Sequence, residues 1–158
     1  MASVYLEMSF VSACVTTRRD TASRYRYATS VDWWKDFRSS YELFISQEVL
    51  EELKHPGFKR SSQAIELISS IPLLDIDEEV RRVAAVFVRE RVMPAPVAGD
   101  AIHVATATVH AVEYVLSWNV RHLANPRKLK HLETICPRLG LFAPRIVTPE
   151  FLWEKPHE

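Results

Sequence analysis

Glycine, cysteine and net charge are all scarce in this sequence, and each shortage removes a class of function. Only 3 of the 158 residues are glycine, so there is no P-loop, no GxGxxG fingerprint and no GxSxG elbow, because loops that cradle phosphate need several glycines for the backbone to approach the anion. The two cysteines, Cys14 and Cys136, form neither a CxxC nor a Cys/His cluster. That excludes a zinc site or disulfide framework of ordinary spacing, points to a reducing, cytoplasmic setting, and leaves each thiol reading as a small buried hydrophobe. Twenty basic residues cancel twenty acidic ones, which argues against holding nucleic acid by bulk electrostatics and leaves only a local patch for that purpose. No apolar run reaches the roughly 18 to 20 residues of a membrane span; stretches such as Val83 to Val88 are the longest. The apolar start, MASVYLEMSFVSACV, lacks a basic n-region and is interrupted by Glu7, so it reads as mature protein. With no repeat, low-complexity tract or long linker, residues 1–158 read as one domain.

What is present is a globular composition, 47% apolar and 25% charged, in a chain long enough to bury about 70% of its unfolded surface. Strand patterns fall at residues 3–7, 41–46, 73–76, 114–118 and 145–148. Between them lie helical patterns: Ala28 to Arg38 with Trp33, Trp34 and Phe37 at helical spacing; a helix after Ser46, a candidate N-cap, running through Glu52 to about His55; Phe58 to Ser69; Asp77 to about Arg91, acids first and bases last; a helix from Asp100; and Lys128 to Leu139. VMPAPVAG, residues 92–99, is loop. Strands alternating with helices predict an α/β fold, with a central, mostly parallel sheet of about five strands between two helical layers. Ligands of such sheets bind beyond the carboxyl ends of the strands.

That rule selects Glu7 at the end of the first strand, Glu52 on the helix after the second, Asp100 opening its helix, and Asn119 just past the fourth strand. Oxygen-bearing side chains from four distant segments meeting at one sheet edge suit a hard cation, Mg²⁺ or Mn²⁺. Without an ion, three close carboxylates would repel and raise one another's pKa.

These segments carry a family resemblance. YLEMSFVS, ISQEVLEEL, DAIHVATA and LSWNVRHLAN, in that order, resemble the four motifs of the PIN-domain nucleases, in particular the VapC-like toxins of type II toxin-antitoxin systems. The resemblance spans nearly the whole chain and implies a PIN-like three-layer fold. It implies Glu7, Glu52 and Asp100 as ligands of Mg²⁺ or Mn²⁺, Asn119 in the fourth acidic place of the catalytic set, and Ser9 supporting the first acid. It further implies metal-dependent hydrolysis of RNA, a cognate antitoxin and a homodimer. The sequence departs from the pattern in three places: Glu7 is longer than the usual Asp, Met8 replaces the common Thr, and Asn119 is neutral where many members have Asp. With three acids, one bound divalent ion is favoured over two.

Other readings stand beside these. Asp100 can be a helix N-cap as well as a ligand, and Glu52 alone can be a solvated helix residue; Glu51 beside it points about 100° away. His103, one turn after Asp100 and on the same helix face, is a candidate to hydrogen-bond that acid or touch substrate, set against a satisfied core histidine or one that supports the site, which is the favoured reading. Arg18, Arg19, Arg24 and Arg26, interleaved with Tyr25 and Tyr27, form a candidate RNA-binding segment or a charged helix face. Arg121 and His122 are candidate phosphate contacts or a solvated turn. Trp118 is packing or a stacking platform. Trp33, Trp34 and Phe37 are core or, where exposed, an interface for a second copy or an antitoxin. The rival function is a PIN-like domain that has lost catalysis and serves as an RNA-binding or protein-interaction module.

Overall fold

The computed structural model describes residues 1–153. Five parallel strands, β1 (Ser3–Leu6), β2 (Glu42–Ser46), β3 (Leu73–Leu74), β4 (Tyr114–Leu116) and β5 (Arg145–Val147), form one sheet in the order β3-β2-β1-β4-β5. Helices α1 (Met8–Val15), α2 (Thr21–Phe37), α3 (Gln47–Leu53), α4 (Ser61–Leu67), α5 (Glu78–Arg89), α6 (Asp100–Val109) and α7 (Pro126–Ile135) flank it in a three-layer α/β/α arrangement. Central β1 is buried on both faces, with Val4, Tyr5 and Leu6 all fully inaccessible, as a parallel strand between two helical layers requires.

The strand order places the site. The chain steps outward from β1 to β2 and β3, then crosses back to build β4 and β5 on the other side. The order in which strands are added therefore reverses between β1 and β4, and a crevice is expected beyond the carboxyl ends of these two strands. Leu6 lies opposite Leu116, and the Glu7 amide continues the pairing to the Leu116 carbonyl at 3.1 Å. Glu7 thus stands beside Ser117 at the reversal.

Each helix that feeds this edge has a local cause. Asp77 caps α5 by accepting from the Val80 amide at 2.9 Å, and Val80, Val83, Ala84 and Phe87 make its buried stripe. Helix α6 packs on α5 and on the sheet, burying every residue from Ala101 to Thr108; its alanines let neighbouring backbones come close. Asn125 caps α7, with Pro126 at the first helical position where its missing N–H costs nothing.

The structure corrects several sequence expectations. Residues 8–15 form α1, which the apolar run had hidden: β1 ends at Leu6, and Glu7, expected as the strand's last residue, is the N-cap of the helix. The segment from Thr21 to Phe37 is one helix, so Arg24, Tyr25, Arg26 and Tyr27 lie on α2 while Arg18 and Arg19 precede it. Helix α4 is shorter than the Phe58–Ser69 pattern. Asp100 is not the N-cap of α6: Gly99 is, at φ 53°, a left-handed conformation that favours glycine, and Asp100 occupies the first helical turn. Ser46 holds the N-cap position of α3 but makes no capping bond, because its hydroxyl is engaged elsewhere. Trp33 is core, fully buried with its indole N–H on the Leu152 carbonyl at 2.8 Å; Trp34 and Phe37 are half-buried against the same core. The buried thiols of Cys14 and Cys136 are pushed up to about 12 and about 11, so neither is a nucleophile at neutral pH.

Candidate functional site

Glu7 is the most enclosed acid of the site, only 5% exposed. Its Oε2 accepts the Ser9 amide at 2.8 Å, and its Oε1 accepts the hydroxyls of Ser9 at 2.6 Å and Ser117 at 2.5 Å. Three donors replace the water that burial removed and fix the carboxylate at the start of α1, where the helix dipole also favours negative charge. The donors are themselves held: Ser9 Oγ accepts the Trp118 amide at 2.9 Å and Ser117 Oγ accepts the Asn119 amide at 3.0 Å. Ser9, selected from the sequence, thus bonds Glu7 through both its amide and its hydroxyl. Ser117 was missed, and its signal was its place at the end of β4, directly before Trp118 and Asn119.

Glu52 projects from α3 with its side chain about one third exposed, and its Oε1 is hydrogen-bonded to His103 Nε2. His103 is fully buried; its Nδ1 lies 2.6 Å from the Tyr5 hydroxyl, which is also 2.7 Å from Ser46 Oγ. Both ring nitrogens are thus engaged, and the carboxylate that His103 meets is Glu52. Burial pushes the His103 pKa down, but the hydrogen bond and the charge of Glu52, with Glu7 and Glu48, outweigh it and leave the pKa above 6.5. Burial, reinforced by the charges of Glu7, Glu52 and Glu48 and opposed by the Ser46 hydrogen bond, raises Tyr5 well above 10. Its phenol keeps its proton.

Ligand atoms of Glu7, Glu52 and His103 lie within 4.8 Å of one another. At that separation the two carboxylates would share a small divalent ion, directly or through water, since such ions take oxygen ligands. Asp100 is half-buried at the same edge. Burial raises its carboxyl pKa, Glu7 and Glu52 push the same way, and His103 and His122 pull against them. Three carboxylates in mutual electrostatic reach have the chemistry of a hard-cation site, since a bound ion relieves both the repulsion and the desolvation.

Glu7 forms part of the wall of a cavity of about 580 Å³ together with Ser9, Arg26, Trp118, Asn119 and Arg121. Arg26 sits over the Trp118 ring at 5.6 Å, and Tyr25 meets the same ring edge-on at 6.0 Å while its hydroxyl donates to Glu150 at 2.8 Å. Trp118 itself is 6% exposed and bonds Ser30 Oγ at 2.7 Å through its indole N–H, which makes it the floor under Arg26 instead of an open stacking platform. Of the sequence-selected cations, Arg26 and Arg121 reach this cavity; Arg18 is exposed and paired with Asp20 at 3.6 Å. Arg19 and Arg24 are exposed. Asn119 lines the cavity, but its Oδ1 accepts the His122 amide at 3.2 Å and so organises the turn after β4.

No protein-family model matches the sequence, and no curated protein matches it. The fold is nevertheless that of known PIN-type toxin structures. VapC20 of Mycobacterium tuberculosis, a Sarcin-Ricin loop cleaving toxin, superposes with a TM-score of 0.57 at 16% identity over 76% of this chain and 92% of its own. VapBC2 from Rickettsia felis, solved with a DNA fragment from its promoter, gives 0.53 at 11% identity over 92% and 97%. FitAcB from Neisseria gonorrhoeae gives 0.56 at 13% identity over 94% and 99%. At these identities the likeness establishes the fold, and function rests on the site.

Proposed function

We propose that this protein is a divalent-metal-dependent endoribonuclease, acting as the toxin of a cytoplasmic type II toxin-antitoxin pair. The observation that carries the reading is the position and support of Glu7: a buried carboxylate with three donors, at the sheet's reversal point, sharing that edge with Glu52 and Asp100. The likeness to VapC20, a Sarcin-Ricin loop cleaving toxin, supports the RNA substrate, and the likeness to VapBC2 and FitAcB supports the antitoxin partner. A homodimer and a single domain over 1–158 belong to the same reading.

Glu7, Glu52 and Asp100 would hold Mg²⁺ or Mn²⁺, with Glu7 the pre-set ligand and the other two completing the site. The chemistry a divalent ion supplies there is polarisation of a phosphate and acidification of an attacking water. Arg26, braced on Trp118, and Arg121 face the cavity beside Glu7 and bind phosphates of the RNA backbone. Asn119 shapes the turn that carries Arg121 and His122. Arg18, Arg19 and Arg24 extend the basic surface along and before α2.

The neutral Asn119, with its oxygen committed to the His122 amide, favours the rival reading of a binding module without catalysis. Calorimetric titration of Mn²⁺ into the protein and into Asp100→Asn separates the two. Saturable binding abolished or reduced at least tenfold by the substitution supports the nuclease, which is then assayed on structured RNA with Mn²⁺ and with EDTA. Absence of binding in the unsubstituted protein refutes it.

A further inference from the structure

Glu52 differs from Glu7 in how it is held. Its side chain is about one third exposed, sits on a seven-residue helix, and the protein bond found for it is the one to His103. A glutamate left free there would lose rotamer entropy on binding an ion, so what fixes it bears on the affinity of the site. Behind it runs a continuous buried chain: Ser46 Oγ to the Tyr5 hydroxyl at 2.7 Å, Tyr5 to His103 Nδ1 at 2.6 Å, and His103 Nε2 to Glu52. It joins the ends of β1 and β2 with α6 and α3, the same segments that bear Glu7, Glu52 and Asp100. Tyr5 and His103 are both fully inaccessible.

We propose that His103 is the positioning residue of Glu52, and that Tyr5 in turn positions His103, so that the second acid of the metal edge is set before an ion arrives. The inference rests on the reading of Glu52 as a ligand. The chemistry of the imidazole supports it. A bond to a carboxylate requires the proton on Nε2; in the neutral ring this leaves Nδ1 as an acceptor for the Tyr5 O–H, and in the charged ring Nδ1–H donates to the Tyr5 oxygen. In either state the Nε2 proton is directed at Glu52. A hard ion has little reason to displace it, since Mg²⁺ takes oxygen ligands and the ring is sealed from solvent. His103 therefore acts through Glu52 and is not itself a ligand, although it lies close enough to be mistaken for one.

The test combines ring N–H NMR of His103 in the intact protein, without metal and with diamagnetic Mg²⁺, and Mn²⁺ calorimetry of the unsubstituted protein, Tyr5→Phe, His103→Leu and His103→Gln. A protected Nε2–H resonance is expected without metal, persisting when Mg²⁺ saturates the site and exchanging faster in Tyr5→Phe. Mn²⁺ affinity should fall about 10–100-fold in His103→Leu, fall less in Tyr5→Phe, and recover most of its value in His103→Gln, whose amide N–H reaches the same place as Nε2–H. Loss of the Nε2 proton on Mg²⁺ binding would make His103 a ligand and overturn the proposal. Unchanged affinity in folded His103→Leu would overturn it equally. Should His103→Leu fail to fold, the resonance and its dependence on Tyr5 decide. If the unsubstituted protein binds no ion, the nuclease reading fails, while a protected Nε2–H weakened by Tyr5→Phe still upholds the positioning chain.

Discussion

Replacing Ser117 by alanine removes one hydroxyl, fully buried, that donates to Glu7 at 2.5 Å and accepts from the Asn119 amide at 3.0 Å. A hydrogen bond to a charged group contributes about 1.5–3 kcal/mol net, and a donor left without a partner costs about 1–3 kcal/mol when fully buried. The Asn119 amide is only partly buried and regains some solvation, so the sum is roughly 2–4 kcal/mol. For a chain of this size each kcal/mol moves Tm by about 2–4 °C, giving a fall of roughly 5–15 °C. The same loss frees one anchor of the buried carboxylate, and Mn²⁺ affinity should drop about 10–100-fold. Thermal melts in EDTA and Mn²⁺ calorimetry measure the two effects separately. A double-mutant cycle with Glu7→Gln isolates the charge: if Ser117 stabilises by donating to a carboxylate, the coupling should be on the order of 1–2 kcal/mol. A Tm fall under about 2 °C, or the same fall in both backgrounds, would refute the account of Glu7 as a carboxylate sustained by its donors.

Asp100→Asn should stabilise the metal-free protein at neutral pH. The folded-state pKa of Asp100 is raised above 3.8 by burial first and by Glu7 and Glu52 after it, so ionisation disfavours the fold above that raised value; the advantage of the variant should shrink as pH falls through it toward 3.8, and a melt series in EDTA with a pH-independent difference would contradict this. Saturating Mn²⁺ should have the opposite effect on the unsubstituted protein, adding about 2.7 kcal/mol at a hundred times Kd, visible as a Tm rise that Asp100→Asn loses. Arg26→Ala with Arg121→Ala should weaken RNA binding and flatten its salt dependence by one to two phosphate contacts in a filter-binding series, with Tm nearly unchanged because both side chains are exposed; an unaltered salt slope would remove them from the RNA path. Trp33→Ala should cost about 3–5 kcal/mol in a urea melt, given its full burial and its bond to the Leu152 carbonyl.

Period-two and period-3.6 patterning made the five strands and most helices legible in advance, because burial of one face imposes those periods wherever a segment is amphipathic. Where a segment is buried all round the signal vanishes. Met8–Val15 comes near this: none of its eight residues is exposed, and Met8 and Val15 add apolar residues to the side away from the buried Phe10, Val11, Ala13 and Cys14, so the helix was hidden behind the strand that precedes it. The acids were visible as residue types at strand ends and helix starts. Their partners were not, because hydrogen bonding between residues 110 apart, as in Ser117 and Glu7, or 98 apart, as in Tyr5 and His103, leaves no local trace.

The order of residues by itself determined the class of fold, the parallel sheet and the set of oxygen-bearing side chains at its carboxyl edge, since hydrophobic period, capping residues and the absence of phosphate loops are all local properties. Only the tertiary structure decided which hydroxyls sustain Glu7, that His103 turns to Glu52 instead of Asp100, that Gly99 and not Asp100 caps α6, and that Arg26 and Arg121 alone among the selected arginines share the cavity with Glu7. The reason is distance in the chain: strand order β3-β2-β1-β4-β5 brings together side chains from every part of the sequence, and their choice of partner follows from where the sheet reverses.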